Sequence, residues 1–168
     1  MSGAQQSAGS DECFRMGLAA LERRTYQEAI VQFRAAIDEE RREGTKSPRM
    51  KFVSYLGLAL TLASGRSEEG ARLCQQAVQR EFFDPDLYCN LGIVHLRNRR
   101  KAQAFEAFRR GLSLSPGHRR IRDELDRYDK RGEPMFSFLP RSHPVNRLFG
   151  RMRHRLVSLF VRDGSNGF

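Results

Sequence analysis

Glycines at positions 17, 57 and 92 recur among the same kinds of neighbours, and this repetition restricts the folds open to the chain. The first segment reads Cys13-Phe-Arg-Met-Gly17-Leu-Ala-Ala20, followed by Tyr26, Ala29, Phe33 and Ala36. The second reads Val53-Ser-Tyr-Leu56-Gly57-Leu-Ala-Leu60, followed by Gly70, Cys74 and Ala77. The third reads Tyr88-Cys-Asn-Leu91-Gly92-Ile-Val-His95, followed by Ala104, Phe108, Gly111 and Pro116. The glycines stand 40 and 35 residues apart, the period of helical-hairpin repeats. Within each segment apolar residues fall at i, i+3, i+4 and i+7, which predicts two amphipathic helices per unit. Gly or Ala at the crossing lets two backbones approach, and Leu56, Leu91, Tyr26, Phe33 and Phe108 fill the holes around it. Arg24-Thr25, Ser64-Gly65-Arg66-Ser67 and Asn98-Arg99 read as turns inside the units. Gly44-Thr45-Lys46-Ser47-Pro48, Asp84-Pro85-Asp86 and Ser115-Pro116-Gly117 read as turns between them. Asp84 and Ser115, each before a proline, are expected to start helices.

The pattern resembles the tetratricopeptide repeat family over about Asp11 to Pro116. The third unit carries Tyr88, Leu91-Gly92, Ala104, Phe108 and Pro116 at the family's spacing. The first unit has Arg41 where a proline is usual, so its second helix is expected to run on to about Arg42. The second has Gly70 at the small position and one extra residue in its turn. The resemblance implies an all-α solenoid of helical hairpins, a right-handed superhelix, here with a basic C-terminal extension. The expected organisation is a flexible N-terminus at 1–10, then three repeats and a capping helix at 11–131. An extended Pro/Phe-containing segment at 132–143, a basic amphipathic helix at 144–161 and a flexible tail at 162–168 follow. Ile121, Leu125 and Tyr128 give the cap its apolar face, which a solenoid needs to cover its last repeat.

In this family the first helix of each unit lines a concave groove that holds a peptide or a helix. The resemblance places Phe14, Leu18 and Leu21, then Ser54, Leu58 and Thr61, then Cys89, Asn90, Ile93 and Leu96 on that face. Some members grip acidic C-termini through a Lys/Asn/Arg clamp. Phe14 and Leu18 stand where that clamp needs Lys and Asn, although Asn90 matches one clamp position. A largely apolar groove implies a hydrophobic peptide or an amphipathic helix as the protein partner. The chain's own Met135–Leu139 segment or its Val145–Phe160 helix is one such occupant, in cis or in a second copy, which would make a homo-oligomer.

The net charge of +10 over 168 residues is unevenly placed. Residues 1–96 hold 12 Lys/Arg and 13 Asp/Glu, whereas residues 97–168 hold 18 and 7. The chain is therefore a neutral front joined to a basic back. In the last helix Val145, Leu148, Phe149, Met152, Leu156, Leu159 and Phe160 share about 120° of the helical wheel. Arg147, Arg151, Arg153 and Arg155 border that stripe, a pattern that also suits an anionic membrane surface. Peripheral attachment to the cytoplasmic membrane face is thus an alternative to a purely cytoplasmic adaptor. A small secretion or assembly chaperone is a further alternative. No recognised nucleic-acid module accompanies the arginines, so nucleic acid is not the expected partner.

No signal for catalysis or for a cofactor emerges. The chain lacks a GxxxxGK[ST] phosphate loop and a GxSxG elbow. Cys13, Cys74 and Cys89 are odd in number, lack the paired spacing of a metal site, and read as buried thiols of a reducing compartment. His95 lies inside a repeat helix and reads as a packing residue. The longest apolar run, Leu56–Ala63, is far short of the roughly 20 residues of a membrane span.

Overall fold

The computed structural model describes residues 3–45, 47–65 and 67–130, with side chains between 9 and 128 of those ranges. The segments expected at 132–143, 144–161 and 162–168, with Arg147, Arg151, Arg153 and Arg155, lie outside the described residues. The described residues form helices α1 (Gly3–Glu22), α2 (Tyr26–Arg42), α3 (Met50–Ser64), α4 (Glu68–Arg80), α5 (Pro85–Arg97), α6 (Lys101–Leu114) and α7 (Arg119–Lys130), with no strand among them. The chain divides into two compact units, Met1–Glu124 and Leu125–Phe168. Of the second, only the last turns of α7 are described. All that follows concerns the first.

α1 pairs with α2, α3 with α4 and α5 with α6; α2 and α4 then pack on the first helix of the next hairpin, and α3 lies against α5. The all-α stack of helical hairpins implied by the repeats is what the chain forms. Each hairpin closes at a left-handed residue after its first helix. Arg24 (φ 62°), Gly65 (φ 75°) and Arg99 (φ 61°) hold these positions. In the first and third turns the amide two residues past the helix end and its successor bond back to the last carbonyls, Arg24 to Leu21 and Thr25 to Ala20, Arg99 to Leu96 and Arg100 to His95. That pairing satisfies carbonyls a helix end would otherwise leave bare.

The starts have separate causes. Ser67 caps α4, its hydroxyl accepting from the Gly70 amide at 2.9 Å. Asp84 caps α5 by accepting from the Asp86 amide at 2.8 Å, with Pro85 in the first turn, as expected. Ser115 does not start α7. It ends α6, and its carbonyl accepts from the His118 amide across Pro116-Gly117, so the helix begins at Arg119 with His118 Nδ1 facing the Ile121 amide at 3.3 Å. At the other end α1 starts at Gly3, well before the expected boundary at Asp11. Nothing in Ala4–Gly9 breaks a helix outright, and Ser10, fully buried, is held by Arg49 Nη2 at 3.0 Å.

Arg49 organises the first inter-repeat corner, where the usual proline is missing and α2 runs to Arg42. Its side chain pairs with buried Glu40 and with Asp11 (2.6 Å), its amide donates to Glu40 at 2.7 Å, and its guanidinium lies 4.2 Å from the Phe52 ring centroid. A carboxylate as buried as Glu40 is tolerated because it is both paired and hydrogen-bonded.

The crossings show why small residues recur. A Cβ on Gly17 would stand 2.5 Å from Phe33 Cε1, and one on Gly92 would collide with Phe108 in the same way. In the second hairpin a Cβ on Gly57 would stand 2.6 Å from the Gly70 carbonyl oxygen, so here two backbones touch. Cys74, not a ring, fills the remaining space. Cys74 and Cys89 are buried thiols, as expected, whereas Cys13 is only partly buried. Burial pushes the Cys74 and Cys89 thiols up to about 12, which keeps them protonated and unreactive.

Candidate protein-binding face

The first helices α1, α3 and α5 and the start of α7 meet along one face. Phe14 of α1 stacks on Phe52 of α3 at 4.6 Å and meets the edge of Tyr55 at 5.3 Å. Phe33 joins them at 5.5 Å from Phe14, so the expected groove residue Phe14 is also an inter-repeat core residue. Leu18, Leu21, Ile93 and Leu96 are half-buried, which leaves part of each side chain for a ligand. Leu58, Ser54, Thr61 and Cys89 are buried. They form the floor of the face and have little surface to offer.

Asn90 is fully buried and already partnered. Its Nδ2 donates to Ser54 Oγ at 3.1 Å, and its Oδ1 accepts from Arg120 Nη2 at 2.9 Å. Arg120 also donates from Nη1 to Tyr55 Oη at 2.7 Å and to Asp86 Oδ1 at 3.2 Å. Its guanidinium carbon lies 5.3 Å from the Tyr55 ring centroid. Asp86 is shared: His118 Nε2 stands 3.2 Å from Oδ1, and Lys51 Nζ stands 3.7 Å from Oδ2. Lys51 in turn lies 5.9 Å above the Phe14 ring. Polar atoms therefore run from α3 to α7 across what the sequence suggested was a mostly apolar groove.

Burial raises the Tyr55 hydroxyl to about 12, partly offset by Arg120, so Tyr55 is a neutral partner in this network. For Arg120 itself burial acts downward, but Tyr55, Cys89 and Asp86 outweigh it and keep the guanidinium charged. His95 lies apart from this cluster; burial, then Arg100, lowers its pKa, which favours the neutral packing histidine expected from the sequence.

Lys51, Asp86 and Arg120 were not expected on the face, yet a signal for them exists. They are the second residues of α3, α5 and α7, spaced 35 and 34 apart, which is the repeat period carried on into the cap. Asp86 reads as a turn residue and Arg120 as one arginine of a basic run until that register is followed. The basic back half is also less bare than its composition suggests. Arg100 pairs with Glu68 at 2.7 Å, and Arg109 and Arg110 pair with Glu106 at 2.8 and 2.9 Å. Those two arginines hold the Glu106 carboxyl down at about 2.

Stacked hairpins with a face of half-buried apolar residues and internally satisfied polar ones define a helical-repeat scaffold. Residues 85–118 match the family model of the tetratricopeptide repeat. The fold is similar to that of the Arabidopsis OM64 TPR domain, with a TM-score of 0.56 and 18% sequence identity, over 75% of this chain and 98% of that one. No curated protein matches the sequence. The third hairpin thus matches the tetratricopeptide repeat in sequence, and the stack of hairpins has the fold of a TPR domain. Repeats of this kind generally mediate protein–protein interaction.

Proposed function

We propose that the face of α1, α3, α5 and the start of α7 binds a segment of a protein partner, an apolar peptide or an amphipathic helix, without chemistry of its own. The observation that carries this reading is the set of half-buried side chains Leu18, Leu21, Ile93 and Leu96 on the first helices, around a floor already packed. A residue half-buried in the free protein is close to its final conformation, so a ligand can cover it at little cost in side-chain order. Helix-in-groove and extended-peptide recognition both use such preformed apolar anchors.

The test is selection of peptides from a displayed random library on the full chain, followed by titration against surface variants. Leu58→Arg would place a charge in the core and is unsuitable. Leu18→Arg and Ile93→Arg are expected to weaken the selected peptides by about 1–3 kcal/mol each, as expected for loss of an interface anchor. Val31→Arg, on the exposed surface of α2 (62% accessible), is expected to leave them unchanged. Equal binding by all three variants would remove this face from the function.

A further inference from the structure

The binding face contains a site whose occupant comes from the protein itself. Tyr55 Oη, Asn90 Oδ1 and Asp86 Oδ1 converge on one guanidinium, that of Arg120, at 2.7, 2.9 and 3.2 Å, with the Tyr55 ring beside it. These partners come from two different repeats, and Tyr55 and Asn90 are also held by contacts that do not involve α7. Tyr55 is locked into the aromatic cluster of Phe14 and Phe33, and Asn90 is oriented by Ser54. The cradle discriminates by shape as well as charge. Lys51 and His118 already serve Asp86, so an incoming cation adds little there, whereas the buried Asn90 oxygen takes its hydrogen bond from the second guanidinium nitrogen, Nη2. A planar guanidinium reaches Asn90 and Tyr55 at once; an ammonium does not.

Arg120 is delivered by α7, which is anchored through Ile121. α7 reads RRIRDELDRYDK, and among its described side chains only Ile121 is fully buried. Ile121 sits against Gly111 of α6, where a Cβ would collide with it. Arg120 retains 39% of its side-chain exposure, so the cradle is reachable from solvent.

We infer that the Tyr55–Asn90–Asp86 cradle is the specificity element of the binding face, selecting a partner segment that presents an arginine followed by an aliphatic residue. Arg120–Ile121 is the internal competitor that holds the cradle until such a partner displaces it. The inference rests on the reading of this face as a binding surface. A tethered competitor acts at an effective concentration of about millimolar or more, so a partner binds in proportion to the fraction of molecules whose cradle is open.

The test uses a fluorescein-labelled peptide of residues 117–130, titrated into the full chain and followed by anisotropy. It is expected to bind the Arg120→Gln protein about tenfold or more tightly than wild type, because the variant empties the cradle. A peptide with lysine in place of its Arg120 is expected to lose about tenfold on the same protein. Asn90→Ser added to Arg120→Gln is expected to remove the gain. Circular dichroism melts verify folding; should Arg120→Gln fail to fold, Ile121→Ala loosens α7 with the cradle residues intact and carries the same expectation. Equal affinity for wild type and variant, indifference to the lysine swap, or no binding by either protein overturns the inference. Library-selected peptides lost with Leu18→Arg but indifferent to Arg120→Gln would keep the binding face and remove the cradle. Peptides indifferent to Leu18→Arg would remove the face itself.

Discussion

The second hairpin solves the same packing problem as the first and third by a different route. In α1–α2 and α5–α6 a glycine on the first helix receives a phenylalanine ring from the second, Gly17 under Phe33 and Gly92 under Phe108. In α3–α4 the ring is replaced by Cys74, and the gap is closed by moving the helices together. Ala29 and Ala104 in the outer hairpins become Gly70, whose carbonyl faces Gly57. The two substitutions belong together. A small residue at the ring position would leave a cavity unless the crossing tightened, and the crossing tightens only where both helices lack a Cβ. A repeat is thus a conserved volume at a crossing, filled by a ring in two hairpins and by backbone contact in the other.

Four measurements would break or sharpen that comparison. The largest effect is expected at the rings. Phe33→Ala and Phe108→Ala should each cost about 4 kcal/mol in urea unfolding, whereas Cys74→Ala should cost about 1 kcal/mol. Equal costs would mean that the second hairpin is not packed as a separate solution. Next, Gly70→Ala should cost about 3 kcal/mol, since its new methyl meets Thr61 and the Gly57 carbonyl. The converse change Ala104→Gly should cost about 1 kcal/mol through helix propensity alone. A mild Gly70→Ala would show that α3 and α4 have room to separate.

The hairpin turns give a smaller contrast of opposite sign. Arg24→Gly and Arg99→Gly should each stabilise by up to about 1 kcal/mol, because an L side chain in the left-handed region is strained. Gly65→Ala should destabilise by a similar amount, so thermal melts of the three variants should move in two directions. The smallest effect is expected at His95, a titratable ring in the register that Ala20 and Leu60 hold in the other hairpins. Its folded pKa lies below the ordinary value of 6.5, because burial and Arg100 oppose its charge. Below that ordinary value the unfolded chain binds a proton that the folded chain refuses, so stability falls as the pH drops from about 7 toward the lower folded value. His95→Gln should flatten the stability profile between pH 7 and 5 while leaving that above pH 7 unchanged in slope.

Much of the fold was legible because it is periodic. Gly17, Gly57 and Gly92 mark the crossings, and Asp84-Pro85 starts α5 as its side-chain chemistry requires. What escaped depended on hydrogen bonds that spacing alone does not show. Ser115 looks like Asp84 in sequence, but its carbonyl is taken by the His118 amide, so the helix starts later. Ser10 carries no sign that it is buried, because Arg49, which holds it, is 39 residues away. The proposed face was legible in part. Leu18, Leu21, Ile93 and Leu96 follow from register on the first helices. Leu58 and Asn90 share that register, yet neighbouring helices cover them.

The sequence by itself determined the number of hairpins, their small-residue crossings and the turns that close them. These depend on local spacing, and local spacing is what helix geometry reads. Only the tertiary structure decided how the crossings are filled and which charges on the basic side are paired. It also decided that Arg120 lies across Tyr55, Asp86 and Asn90. The Arg120 contacts join residues 30 or more positions apart, and such pairs become neighbours only when successive repeats stack and desolvate the groups between them.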